Sequence, residues 1–255
     1  MRRTERPSTR AVTGGETTAP VHVLADESSP VVRITGVLDR SGVPAVRDAL
    51  LDRLVARPGP VVADLTEVRV VDPAARAVFA EVRREVAHWP SAGLLVCDPA
   101  GSDPPDPALA GVPVLPTLDA AMDAVARSPM AAVLTADLAP VPDAAREARD
   151  LLADGCRRWG VPGLVEVGSI ALTEIVNNVV AHARTPMTVR LAPEDGTLRL
   201  AVRDRSTRPP SFAGPATPTS IGGRGLLLVD TLAERWGATP LPDGKVVWCV
   251  LAPPP

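Results

Sequence analysis

A helix followed closely by a β-hairpin constrains the C-terminal half of this chain more than any other feature. Residues 171–183 read Ala-Leu-Thr-Glu-Ile-Val-Asn-Asn-Val-Val-Ala-His-Ala. Leu172, Ile175, Val176, Val179 and Val180 recur at spacings of three and four, which predicts a helix with one apolar side. Residues 187–191 and 197–202 then read as strands, joined by the turn-forming run Pro193-Glu194-Asp195-Gly196. Asp243-Gly244 is a second turn, and residues 245–251 form a closing strand. Upstream, residues 130–138 read as a strand, Asp143 as an N-cap, and residues 144–160 as an amphipathic helix. Residues 226–236 read as a further apolar helix. Helices on one face of an antiparallel sheet satisfy this order, an α+β arrangement.

The N-terminal half has a different rhythm. Residues 31–38, 61–65, 68–71, 93–97 and 112–115 read as strands. Between them, residues 43–55, 74–87 and 117–127 carry helical period. Val46, Ala49, Leu50 and Leu54 mark the inward side of the first helix, which Asp39, Arg40 and Ser41 precede as N-cap candidates. Ala75, Val78, Phe79 and Val82 mark the inward side of the second. Strands alternating with helices predict α/β. Residues 1–20 have no hydrophobic period and read as a disordered tail. Ser128-Pro129 divides the rest into residues 21–128 and 130–255.

Composition narrows the chemistry. Aromatic residues make up 2% of the chain, with no Tyr and two Phe, so the cores must be built from Ala, Val and Leu. A net charge of −3 without a long basic run argues against nucleic acid as a partner. Cys97, Cys156 and Cys249 are odd in number and far apart, which argues for free thiols in a reducing compartment. His22, His88 and His182 form no zinc pattern. The N-terminus lacks the apolar core of a signal peptide, and no apolar run is read as reaching the roughly 20 residues that span a bilayer. The expectation is a cytoplasmic protein without a membrane segment.

Three short patterns carry possible chemistry. Glu174, Asn178 and His182 lie at i, i+4 and i+8, on one flank of a continuous helix. Such a flank is either a solvated edge or a carboxylate and amide able to activate a hydroxyl and hold a metal. Asp204-Arg205-Ser206 ends a strand, either as a turn or as an acceptor for a planar amine. After the Pro-, Gly- and Ser-rich residues 207–220 comes Gly222-Gly223-Arg224-Gly225, which opens a helix. A glycine-rich entry to a helix is either a tight turn or an anion cradle of backbone N–H groups. Neither a Walker A loop nor a GxGxxG fingerprint is present.

Two resemblances follow. The phrases "ITGVLD", "VVADLTEV" and "VVDPAARAVF" are similar to the STAS domain of anti-sigma-factor antagonists, over roughly residues 20–128. Phosphorylatable members carry Asp-Ser-Ser/Thr-Gly at the turn into a helix. This chain has Asp72-Pro73-Ala74-Ala75, with no hydroxyl to accept phosphate. The resemblance implies a binding or scaffolding module, or a permanent pseudo-substrate for the second half. In that second half, "LTEIVNNVVAHA", "VRDRSTRPP", "GGRGLLLVDTLAERWG" and "DGKVVWCVL" resemble the nucleotide-binding boxes of the GHKL ATPase superfamily, over about residues 130–252. The nearest group within it is the RsbW/SpoIIAB-like anti-sigma-factor serine kinases.

That resemblance implies an α/β sandwich that binds ATP and Mg²⁺. Glu174 would be the general base and Asn178 the Mg²⁺ ligand. Asp204 would accept the adenine amine, with Ser206 beside it. Gly223 and Gly225 would line the phosphate loop, Arg224 and Lys245 would be phosphate neighbours, and residues 207–220 would form the lid. His182 is read as structural. Ser206 departs from the Gly common at its position, and Arg205 beside it could gate or obstruct the adenine pocket. The implied activity is phosphorylation of a Ser or Thr on a separate STAS antagonist, with control of a sigma factor and possible homodimerisation. The alternative is a non-catalytic partner-switching protein with a degenerate nucleotide site. A sensor histidine kinase fits less well, because no His-bearing dimerisation helix precedes the ATPase-like half.

Overall fold

The computed structural model describes residues 20–26, 28–101, 105–128, 133–210 and 225–253. Its described strands form two five-stranded sheets. The first has the order β1 (His22–Ala25), β2 (Val31–Leu38), β3 (Gly59–Val70), β4 (Ala92–Cys97) and β5 (Val114–Leu115). Only the β1–β2 pair is antiparallel; the rest run parallel, through helical crossovers. Helices α1 (Val43–Ala56) and α2 (Ala77–Glu85) cover one face of this sheet. Helix α3 (Leu118–Arg127) covers the other, against Val62, Leu95 and Cys97.

The second sheet is wholly antiparallel, in the order β6 (Leu134–Leu138), β7 (Met187–Glu194), β8 (Thr197–Asp204), β10 (Gly244–Leu251) and β9 (Arg235–Leu241). Asp195 and Gly196, with φ of 50° and 77°, make the tight hairpin turn between β7 and β8. Helices α4 (Ala144–Trp159), α5 (Val165–Asn178) and α6 (Gly225–Leu232) belong to this half. Strand alternation sorts the two faces. Leu198, Leu200, Val202, Val247, Cys249 and Leu251 point into a core with α4, α5 and α6. Ala201 and Val246, one residue out of phase, join the core of α1 and α2 instead.

Helices α1 and α2 are thus sandwiched between two sheets. The seam is partly polar. Arg190 on β7 is buried and donates to Leu54 O (3.1 Å) and Val55 O (2.6 Å) at the C-terminus of α1. Those carbonyls carry the negative end of the helix dipole. Burial and nearby Arg203 pull the Arg190 guanidinium down to about 10, still cationic at neutral pH. Arg199 donates to Ala87 O (2.6 Å), and the His88 ring lies 4.9 Å from that of Trp248.

Several expectations change in the folded chain. Residues 61–65 and 68–71 belong largely to one twelve-residue strand, β3. Asp143 makes no side-chain cap, while Thr117 does cap α3 and Asp72 accepts from Ala74 N at 3.0 Å. Pro73 opens a short 3₁₀ turn, where its missing N–H costs nothing. The helix read over residues 226–236 stops at Leu232, and Trp236 lies on β9. The segment Pro162–Ala183, 22 residues, is long and apolar enough to cross a membrane, contrary to expectation. It is the core helix here: Leu172, Ile175 and Val176 lie buried under the sheet.

The seam is testable. Arg190→Ala removes two charge-assisted hydrogen bonds and leaves two helix-terminal carbonyls unpaired. The expected loss is about 2–4 kcal/mol in denaturant unfolding. Arg190→Met, which keeps the apolar volume, should lose less.

Candidate functional site

Helix α5 brings the first pattern into place. Its Gly168 sits where an added Cβ would lie 2.9 Å from Leu152 Cδ1 and 3.0 Å from Leu198 Cδ2, so α5 lies close to α4 and to β8. After Asn178 the helix widens into a π turn, Val179–Ala183, and ends at Arg184 with φ of 55°. Glu174 and Asn178 keep the one-turn spacing read from the sequence. His182 lies within this π turn.

Beside this helix end lies a cavity of about 230 Å³. Ile175, Val179, Leu226 and Val247 form apolar walls. Asn178, Asp204, Ser206 and Lys245 supply the polar groups, with His182, Arg208, Pro209 and Pro210 also lining it. The size suits a flat aromatic ring system between apolar walls with a few fixed polar atoms.

The polar end is built by strand register. Lys245 on β10 is the direct partner of Asp204 on β8. Lys245 Nζ lies 2.9 Å from Asp204 Oδ1 and 2.8 Å from Oδ2, and donates to Ser206 O at 3.1 Å. Ser206 N donates to Asp204 Oδ1 at 2.8 Å. Asp204 is 1% exposed and Lys245 7%, so the pair is shielded from bulk water and only weakly screened by salt.

Five of the residues singled out from the sequence meet in the cavity: Asn178, Asp204, Ser206 and Lys245, with His182, read from the sequence as structural. Lys245 was expected beside phosphate and instead grips the Asp204 carboxylate. Glu174 is half-buried on α5, one turn before Asn178, and lies outside the cavity lining. Among the described residues it makes no hydrogen bond or ion pair. Gly225 is the first residue of α6, and its neighbour Leu226 walls the cavity. Gly223, Arg224 and most of the expected lid, residues 211–220, lie outside the described residues. Arg205 does not line this cavity: its guanidinium reaches Asp243 Oδ2 at 3.0 Å, alongside Arg203. The Asp72–Ala75 turn packs beside the Pro107–Leu109 turn of the first half, where Arg76 pairs with Asp98 and Asp106.

Sequence reading missed the apolar walls Val247 and Leu226 as site residues. Alternation along β10 was the available signal, since Lys245, Val247 and Cys249 must share one face. It also missed Gly244. A Cβ there would lie 2.0 Å from Asp204 O and 2.9 Å from Arg205 Cα, both backbone atoms. Gly244→Ala must push β10 off β8 at the Asp204–Lys245 pair. A loss of about 2–3 kcal/mol in thermal or denaturant unfolding is expected. A wild-type melting temperature would contradict this geometry.

Comparison with known proteins finds two family models on the chain. Residues 138–251 match the histidine kinase-like ATPase domain, and residues 21–89 match the model described as Mlab, STAS domain. An uncharacterized protein of Streptomyces coelicolor is 42% identical over 82 residues, which is 31% of this chain and 78% of that protein. Among solved structures, the RsbU and RsbW domains of a Mycobacterium tuberculosis protein share 21% identity at a TM-score of 0.37. That likeness covers 47% of this chain and 32% of the mycobacterial one. The histidine kinase domain of a blue-light activated kinase from Erythrobacter litoralis shares 20% identity at a TM-score of 0.27, covering 36% of this chain and 46% of that one. The present chain spans less than half the length of either solved chain. With a helix-backed antiparallel sheet over residues 138–251 and a mostly parallel sheet before it, the chain carries a histidine kinase-like ATPase domain preceded by a STAS domain.

Proposed function

We propose that this protein binds Mg-ATP in the cavity of Asn178 and Asp204 and phosphorylates a Ser or Thr on a separate STAS protein. The observation that carries the reading is the buried Asp204 carboxylate at the polar end of an apolar-walled cavity that also includes Asn178, in a histidine kinase-like ATPase domain. Asp204 would accept from the exocyclic amine of adenine. The ring would lie between Ile175, Val179, Leu226 and Val247. The phosphates would run toward the start of α6, with the glycine segment Gly223–Gly225 and Arg224 beside them.

Asn178 suits Mg²⁺ as a single oxygen ligand. Mg²⁺ takes few protein ligands and completes its shell with water and phosphate oxygens. No cluster of three or more His, Cys, Asp or Glu able to hold a resident metal exists among the described residues, so a metal arriving with the nucleotide fits better. Bound there, Mg²⁺ supplies charge neutralisation on the phosphates.

Glu174, one turn before Asn178, would take the proton of the attacking hydroxyl. The new bond joins the acceptor oxygen to the γ-phosphorus, the bond to the ADP oxygen breaks, and the proton passes to the Glu174 carboxylate. The acceptor belongs to another protein. The chain's own turn, Asp72-Pro73-Ala74-Ala75, has no hydroxyl, and its domain docks through α1 and α2 on the far face of the sheet. That docking gives no support to a pseudo-substrate role. The motif resemblance supports an RsbW/SpoIIAB-like place in partner switching: a cytoplasmic regulator that sequesters a sigma factor and phosphorylates the antagonist that would compete for it, alone or as a homodimer.

One observation favours a second reading. Lys245 already occupies much of the Asp204 carboxylate, which fits a non-catalytic partner-switching protein with a reduced nucleotide site. Two measurements separate the readings. Calorimetry with Mg-ATP should show saturable binding by the wild type; no heat and no shift in melting temperature would favour the second. Glu174→Gln should keep ATP affinity while phosphate transfer to a STAS protein with an intact Asp-Ser turn falls by about 10²–10⁴-fold. Full transfer by that variant would remove Glu174 from its role.

A further inference from the structure

We infer that Lys245 reads the edge of the bound purine beside Asp204, donating to the ring nitrogen next to the amine that Asp204 accepts. This inference rests on the nucleotide site proposed above. It comes from counting donors and acceptors at the polar end of the cavity.

A carboxylate offers about four acceptor positions and an ammonium three N–H donors. Among the described residues, Asp204 Oδ1 accepts from Ser206 N (2.8 Å) and Lys245 Nζ (2.9 Å), while Oδ2 lies 2.8 Å from Lys245 Nζ in the ion pair and has no other partner. One acceptor position remains on Oδ2. Lys245 Nζ is nearly equidistant from the two oxygens, the geometry of one N–H shared between them. A second N–H goes to Ser206 O (3.1 Å). One donor therefore remains on the ammonium. Both residues line the cavity and are more than nine-tenths buried. A donor and an acceptor left over side by side in a dry site must be met by a ligand or left at a cost.

Adenine fits this pair. Its exocyclic amine donates and the adjacent ring nitrogen, N1, accepts. A carboxylate alone would read only the amine. With Lys245 beside it, the site also senses N1. Guanine presents an acceptor where adenine presents the amine and meets the pair only if the ring shifts along it. The ion pair is thus a specificity element, and its occupation of Asp204 leaves room for the base.

The test uses the full chain with Mg²⁺ and compares ATP with 1-deaza-ATP, in which a C–H replaces N1. The wild type should bind 1-deaza-ATP about 10–30-fold more weakly than ATP, the loss of a charge-assisted hydrogen bond. In Lys245→Met, ATP itself should weaken by a similar factor and the difference between the two nucleotides should shrink below about twofold. The wild-type comparison needs no variant, so a poorly folded Lys245→Met leaves it intact. Equal binding of the two nucleotides by the wild type overturns the inference alone. So does an equal deaza penalty in Lys245→Met, which would assign N1 to another group. GTP binding as tightly as ATP overturns the adenine assignment. Binding of no nucleotide by the wild type overturns the ATP reading, and this inference with it.

Discussion

Two sheets share one helical layer. Helices α1 and α2 bury Val46, Leu50, Leu51, Leu54, Val78, Phe79 and Val82 in a core that reaches from β2 and β3 of the first sheet to Ala201 and Val246 of the second. A helix apolar on only one side could not do this. The layer explains how a chain with 2% aromatic content closes two domains: small aliphatic groups pack at high density on both faces of the same helices. It also fixes the polar seam. Among the described residues Arg190 makes no ion pair; the α1 carbonyls accept from its guanidinium, and Asp137 adds a longer-range attraction. Burying that cation is costly, so the seam combines apolar area with one exacting polar contact.

The same layering separates two functions on one sheet. Alternation along β8 and β10 sends Arg203 and Val246 toward the STAS domain and Asp204 and Lys245 toward the cavity. Residues one apart on a strand therefore serve opposite faces. The Asp204–Lys245 pair depends on this register, and Gly244 makes the register possible by letting β10 approach the Asp204 carbonyl. Buried in a low-dielectric setting, the pair gives the cavity a fixed polar end.

Much of this was legible in the residues. The Asp195-Gly196 turn, the apolar side of α5 and the strand–helix alternation of the first half follow local rules that hold without tertiary help. Asn178, Asp204, Ser206 and Lys245 stood out as candidates because each stands at or near the end of a regular element, and the fold brings them to one cavity. Other features depend on contacts distant in sequence. Strand β9 begins inside the stretch read as a helix, and the rest of it, with Gly237 and Pro240, is assigned no element from the sequence. It becomes a strand through pairing with β10 at a sheet edge, where Pro is tolerated. Gly237 leaves space for the Trp248 ring, which a Cβ would approach to 2.7 Å. Leu51 and Val55 lie off the single apolar stripe read for α1 because that helix answers to two sheets. The π turn after Asn178 and the grip of Lys245 on Asp204 have no local signature.

Hydrogen exchange of the full chain with and without saturating Mg-ATP bears most directly on the central claim, that the nucleotide occupies the inner face of the second sheet while the STAS domain braces its outer face. Protection should rise over residues 175–183, 204–206 and 225–232, with α1 and residues 72–76 unchanged. No change anywhere at saturation, or protection centred on residues 72–76, would contradict it.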